Sequence, residues 1–182
     1  MSDISIIEDS TGMGRDVITI KNAKIKTEFN NFTGNHGYNG NQDPNNRNFS
    51  VIIDDESFVA FLESKGWNVK TSRDGERYLQ IHVSYRYYNP ESQNPVPSVI
   101  MRNPNTNNIV HLDESTVGML DDFRRQDGFE HCDLIFKGSP YQTNNAAGVS
   151  GYLQWMQVTP RFNEIDNIIN ELAYTYAEEE NL

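Results

Sequence analysis

The 182-residue chain contains a single cysteine, Cys132. An internal disulfide is therefore excluded, and so is any zinc module built on cysteine pairs. No apolar run approaches the ~20 residues that a membrane-spanning helix requires. Met1–Ile7 has neither the basic start nor the apolar stretch of a secretory signal, so a soluble, cytoplasmic protein is expected. Catalytic signatures are missing as well: there is no nucleophile elbow, no phosphate loop and no His-Glu-x-x-His. The histidines (His36, His82, His111, His131) are scattered without ligand spacing and read as surface or strand residues, so neither metal nor cofactor is expected.

Positive charge is scarce, with 15 Lys and Arg against 26 Asp and Glu and a net charge of −11. That balance argues against a polyanion partner, because Lys and Arg supply most nucleic-acid affinity. The acid is concentrated at the ends, however. Residues 1–16 carry −3 and residues 161–182 carry −5, which leaves only −3 on the body.

What the chain does have is aromatic mass: 9 Phe, 9 Tyr and 2 Trp, enough large burial units for one globular domain. Residues 1–16 read as a flexible arm, 17–160 as the domain, and 161–182 as an amphipathic helix with an acidic tail. Ile18 and Ile20 lie on one strand parity, and Ala23 and Ile25 on the other, which implies a bulge near Lys21-Asn22. Lys24 and Lys26 then share the face opposite Ala23 and Ile25. The Asn- and Gly-rich stretch Asn30–Asn46 predicts a long exposed loop.

Arg47–Asp54 predicts a strand, followed by a helix over Asp55–Lys65 capped by Asp54 or Asp55 and stopped by Gly66. Tyr78–Tyr87 alternates most regularly. Ser98–Arg102 and Ile109–Leu112 form a predicted hairpin, and Asp113 caps a short helix, Glu114–Leu120. Cys132–Lys137 and Val149–Thr159 are further strands, separated by a flexible loop, Gly138–Gly148. Together these elements predict a mainly β fold: an OB-fold-like, partly open antiparallel barrel with long loops, plus a C-terminal helix and acidic tail.

Two constellations carry possible chemistry. Acids gather at Asp54-Asp55-Glu56, Asp113-Glu114 and Asp121-Asp122, as a metal-dependent nuclease would require, yet the first two begin helices, where acids cap free amides. Aromatic and basic residues interleave at Arg77-Tyr78, Tyr85-Arg86-Tyr87-Tyr88 and Arg47-Asn48-Phe49. Single-strand binders use that combination, stacking bases on rings while cations follow the phosphates. Tyr85 and Tyr87 fit either a stacking surface or the core; Phe49 and Trp155 lean towards core.

With these segments placed, the chain resembles the OB-fold single-stranded-DNA-binding proteins of tailed bacteriophages. The residues that carry the resemblance are Lys21-Asn22-Ala23-Lys24-Ile25, Arg47–Asp54, Gly66-Trp67-Asn68-Val69-Lys70, Leu112–Asp121 and Gly151–Thr159, in that order. The resemblance implies a non-enzymatic protein that coats single strands in phage replication, recombination or repair, in the host cytoplasm. It also implies an acidic tail that contacts replication or recombination enzymes. The tail departs from the family habit of ending in an aromatic residue, since it finishes in Asn181-Leu182. On this reading Tyr78, Tyr85, Tyr87, Tyr88, Tyr141 and Tyr152 stack bases, and Lys24, Lys26, Lys70, Arg47, Arg73, Arg77, Arg86 and Arg102 meet phosphates. Glu178, Glu179, Glu180 and Leu182 form the partner-binding tail, and a homo-oligomer is compatible with the pattern. The alternatives are a nuclease using Asp54, Asp55 or Asp121-Asp122, and a virion or scaffold component suggested by the Asn-rich loops.

Overall fold

The structure is a computed structural model that describes residues 2–27, 30–34, 46–85, 96–103, 106–122, 128–161 and 172. Its frame is one sheet. Ten strands are present among the described residues: β1 (Asp3–Ile7), β2 (Val17–Lys21), β3 (Lys24–Ile25), β4 (Asn48–Ile52), β5 (Lys70–Thr71), β6 (Arg77–His82), β7 (Ser98–Arg102), β8 (Ile109–Leu112), β9 (Phe129–Gln142) and β10 (Ala147–Pro160). The order is β1-β2-β9-β10-β6-β4-β3, with β5 paired to β6 and the β7–β8 hairpin attached to β10 through β7.

The two neighbours β2 and β3 in sequence stand far apart in this order because the chain turns sharply between them. Asn22 is left-handed (φ 55°), a conformation asparagine tolerates better than most side chains. Its amide donates to Asp133 Oδ1 at 2.8 Å. Ala23 N then donates to Cys132 O at 2.7 Å, and β3 goes on to pair with β4. The sheet thus curls back on itself without a ladder closing it, which is the partly open barrel that the strand pattern predicts.

Inside lies a continuous apolar core that includes Ile18, Phe49, Leu79, Ile81, Leu134 and Phe136. One helix, α1 (Glu56–Ser64), adds Phe58, Val59 and Leu62 to it. Asp55 caps α1 by accepting from Ser57 N and Phe58 N, and Gly66 (φ 91°) follows its end.

Four expectations are corrected. Residues 3–7, assigned to a flexible arm, form β1 and pair with β2 from Asp3↔Lys21 to Ile7↔Val17; Ile4 and Ile6 reach the core from this edge. The head of the loop expected over residues 30–46 is buried: Phe32 stacks on Phe49 at 5.2 Å, and Asp121 accepts from the amides of Phe32 and Thr33. The flexible loop expected over residues 138–148 is instead a continuation of β9 and β10, which pair through Gln142↔Ala147. The regular strand expected over residues 78–87 ends at His82, and residues 86–87 lie outside the described set, as does residue 88. The predicted C-terminal helix and tail, residues 161–182, also fall outside it, apart from Arg161 and the exposed helical residue Leu172.

Glycine rather than disorder explains the ribbon. A Cβ on Gly138 would lie 2.1 Å from Gly14 O, 2.8 Å from Trp67 Cζ2 and 2.9 Å from Val149 Cγ1, so the chain there admits only a bare backbone. Gly138→Ala should lower the unfolding free energy by about 1–3 kcal/mol in a urea titration. An unchanged midpoint would show that the approach of the 8–16 segment to β9 is looser than described.

Candidate nucleic-acid interface

Strand alternation divides β6 into two faces. Leu79 and Ile81 point into the core, whereas Tyr78, Gln80 and His82 are half-exposed on the outer face. Lys70 of β5 lies opposite Tyr78 and donates from Nζ to Gln80 Oε1 at 3.3 Å. On the other side β10 runs parallel to β6 with Tyr152 opposite His82, and the two rings sit 5.2 Å apart at a 31° tilt. Lys137 of β9 is the cross-strand partner of Tyr152.

The outer face therefore carries a band, Lys70–Tyr78–Gln80–His82–Tyr152–Lys137, in which three rings lie among two cations and an amide. Lys26 ends it, with Nζ 4.9 Å from the centre of the Tyr78 ring. Such a surface offers flat apolar rings to unpaired bases and positive charge to the phosphates between them.

Three of the residues singled out from sequence, Lys70, Tyr78 and Tyr152, come together here. Lys26 adjoins them, but it is only 8% exposed and bonded to Glu76. Arg73 is exposed in the β5–β6 turn beside Lys26, and Lys24 is exposed and paired with Asp54 at 3.1 Å. Arg77 has the parity opposite to Tyr78 and bonds to Glu63 of α1.

Arg47 is buried rather than solvent-facing. Its Nε donates to Phe32 O at 3.1 Å, Nη2 donates to Glu114 O at 3.3 Å, and the guanidinium lies 5.5 Å from the Tyr85 ring centre. Tyr85 shares the core-side parity and packs against the core; burial pushes its phenol up to about 12. Arg102, on β7, faces Gln157, whose amide oxygen accepts from Nε and Nη2 when oriented towards it. Tyr141 is exposed near the tip of the β9–β10 hairpin, remote in sequence register from Tyr152. Arg86, Tyr87, Tyr88, Glu178, Glu179, Glu180 and Leu182 lie outside the described residues.

Gln80, His82 and Lys137 escaped the sequence reading. The signal for the first two was present, since they share parity with Tyr78; for Lys137 it was not, because only the β9–β10 register sets it beside Tyr152.

The acid clusters have structural work. Asp55 caps α1, Asp113 Oδ1 accepts from Ser115 N and Thr116 N ahead of the 3-10 turn Val117–Met119, and Asp121 holds two backbone amides. Among the described residues no group of three or more His, Cys, Asp or Glu is placed to hold a metal ion. Cys132 is wholly buried, and burial raises its thiol well above the ordinary range.

Burial first, and the nearby Lys70 ammonium second, hold the His82 imidazole below its ordinary value of 6.5. Just below that pH the unfolded chain binds the proton and the folded protein does not, so stability falls as pH drops through this window. Replacing His82 with Gln should flatten the loss of urea stability between about pH 7 and pH 5. A variant with the same pH slope as the parent would remove His82 as its source.

Comparison with known proteins shows the family and the fold. A family model described as "Putative phage ssDNA-binding domain" matches residues 14–178. The chain is similar to the C-terminally truncated single-stranded DNA-binding protein of bacteriophage Enc34, with a TM-score of 0.51 and 7% identity over 88% of this chain and 97% of that one. A second structure of the Enc34 protein gives a TM-score of 0.50 and 7% identity, covering 89% and 94%. At such identity the likeness concerns the fold. No curated protein matches the sequence. The family match covers most of the chain, and the chain belongs to the phage single-stranded-DNA-binding domain family.

Proposed function

We propose that this protein binds single-stranded DNA along the outer face of β6, β10 and β9, with little sequence preference and without catalysing a reaction. The observation that carries the reading is the unbroken row of half-exposed rings and cations from Lys70 to Lys137. Stacking contributes about 1–3 kcal/mol per base and does not depend on which base is stacked. Two or three stacked bases therefore suffice for useful affinity despite a body charge of only −3. Duplex DNA hides its base faces and gains nothing from the rings, so the preference for single strands follows from the chemistry of the band. Coating of strands exposed in phage replication, recombination or repair, in the host cytoplasm, is the role that fits this chemistry.

The acidic tail has a part in the same reading. Six acids follow Pro160, three of them at Glu178-Glu179-Glu180, and they compete with phosphates for the band's lysines while remaining available to a replication or recombination partner.

One fluorescence titration, with unstructured oligonucleotides and with duplex, tests the whole proposal. Tyr152→Ala should weaken single-strand binding by about 1–3 kcal/mol at every salt concentration. Lys137→Ala should reduce the magnitude of the logarithmic salt slope by about 0.7. Removing residues 178–182 should tighten binding severalfold at about 20 mM salt and hardly at all near 0.3 M, where screening is short-ranged. Equal affinity for single strands and duplex would overturn the assignment.

A further inference from the structure

The aromatic band does not stop at Tyr78. Beyond it, the ends of β3 and β4 and the β5–β6 turn enclose an open groove of about 780 Å³, a volume in the range of small-molecule sites. Tyr78 and Ile52 supply apolar walls, and Lys26, Arg73, Asp74 and Glu76 supply the charge.

Those charges are arranged unfavourably for a phosphate. Lys26 is engaged by Glu76 and lies against the Tyr78 ring, so its charge is largely answered within the protein. Asp74 stands on the exposed turn, where the charge of Lys26 also favours its ionised form. Ser72 Oγ donates to Asp74 and, with the Asp74 and Glu76 amides, keeps that carboxyl below the usual range and hence ionised. A groove with one aromatic wall and two carboxylates among its lining suits a base that stacks on Tyr78 and donates hydrogen bonds from its edge.

The four bases differ in that respect. Cytosine, adenine and guanine each carry an exocyclic amino group that a carboxylate accepts. Thymine offers one imino N–H flanked by two carbonyl oxygens, which repel the carboxylate. We propose that this groove is a nucleobase subsite at the end of the band that favours amino-bearing bases, and cytosine over thymine among pyrimidines. The inference rests on single-stranded DNA lying along the band, and it adds a modest bias to otherwise sequence-tolerant binding.

The test is a titration of the full chain with dC and dT oligonucleotides of about 15 nucleotides, near the upper site size of one OB fold, at a pH where cytosine is neutral. Cytosine oligonucleotides should bind about two- to tenfold more tightly, the worth of one additional hydrogen bond. The ratio of the two affinities is the readout, because removing an acid strengthens binding to both. In Asp74→Asn, which keeps a turn-forming side chain on an exposed site, the ratio should fall towards one. Glu76→Gln provides the second probe, and thermal melting reports whether loss of the Lys26 pair has altered its fold. Equal affinity of the parent for dC and dT overturns the subsite and leaves the band standing. A cytosine preference unchanged in both variants assigns it elsewhere and overturns the groove. Failure of both oligonucleotides to bind removes the band and the subsite together.

Discussion

The fold depends on the turn at Asn22-Ala23. A strand continuing straight from β2 would keep Ile18 and Ile20 in the core but leave Ala23 on the wrong face, because side chains alternate with a period of two. The left-handed residue Asn22 absorbs that mismatch, and its amide is satisfied by Asp133 rather than by a neighbouring strand. One continuous segment can then serve both ends of the sheet: β2 pairs with β9 and β3 pairs with β4. The β6–β10 and β10–β9 ladders then set His82, Tyr152 and Lys137 side by side on the outer face of that sheet.

Charge is divided by position rather than by amount. Arg47 and Arg77 serve the protein's own packing: one ties Phe32 and Glu114 together beneath Tyr85, the other fastens β6 to α1 through Glu63. Asp55, Asp113 and Asp121 are spent on backbone amides. Lys70 and Lys137 flank the rings, so a chain with a net charge of −11 still presents cations where bases would stack. Net charge alone therefore does not describe the surface that this chain offers along the band.

Local patterns carried much of the architecture. The β7–β8 hairpin, the Asp55 cap, the stop at Gly66 and the parity change near Asn22 were all legible, because each depends on residues within a turn or two of one another. What could not be read depends on distant partners. Arg47 looked like a surface cation because Glu114, 67 residues away, is invisible to local spacing. The Gly138–Gly148 stretch looked flexible because glycine's permissiveness and its use in close packing leave the same trace in sequence; here Trp67 and Gly14 press on Gly138. Edge strand β1 was read as an arm because its short alternation, Ile4 and Ile6, gains meaning only from its register with β2. The candidate band was half legible: Tyr78 and Lys70 stood out, while Lys137 joined only through cross-strand pairing.

Photochemical cross-linking of the full chain to a single-stranded oligonucleotide bearing halogenated pyrimidines, with the attached residues identified by mass spectrometry, tests the placement of DNA most directly. The account predicts adducts at Tyr78, His82 and Tyr152 on the outer face of β6 and β10. Adducts confined to Tyr141 at the hairpin or to Tyr85 against Arg47, with none on the band, would contradict it.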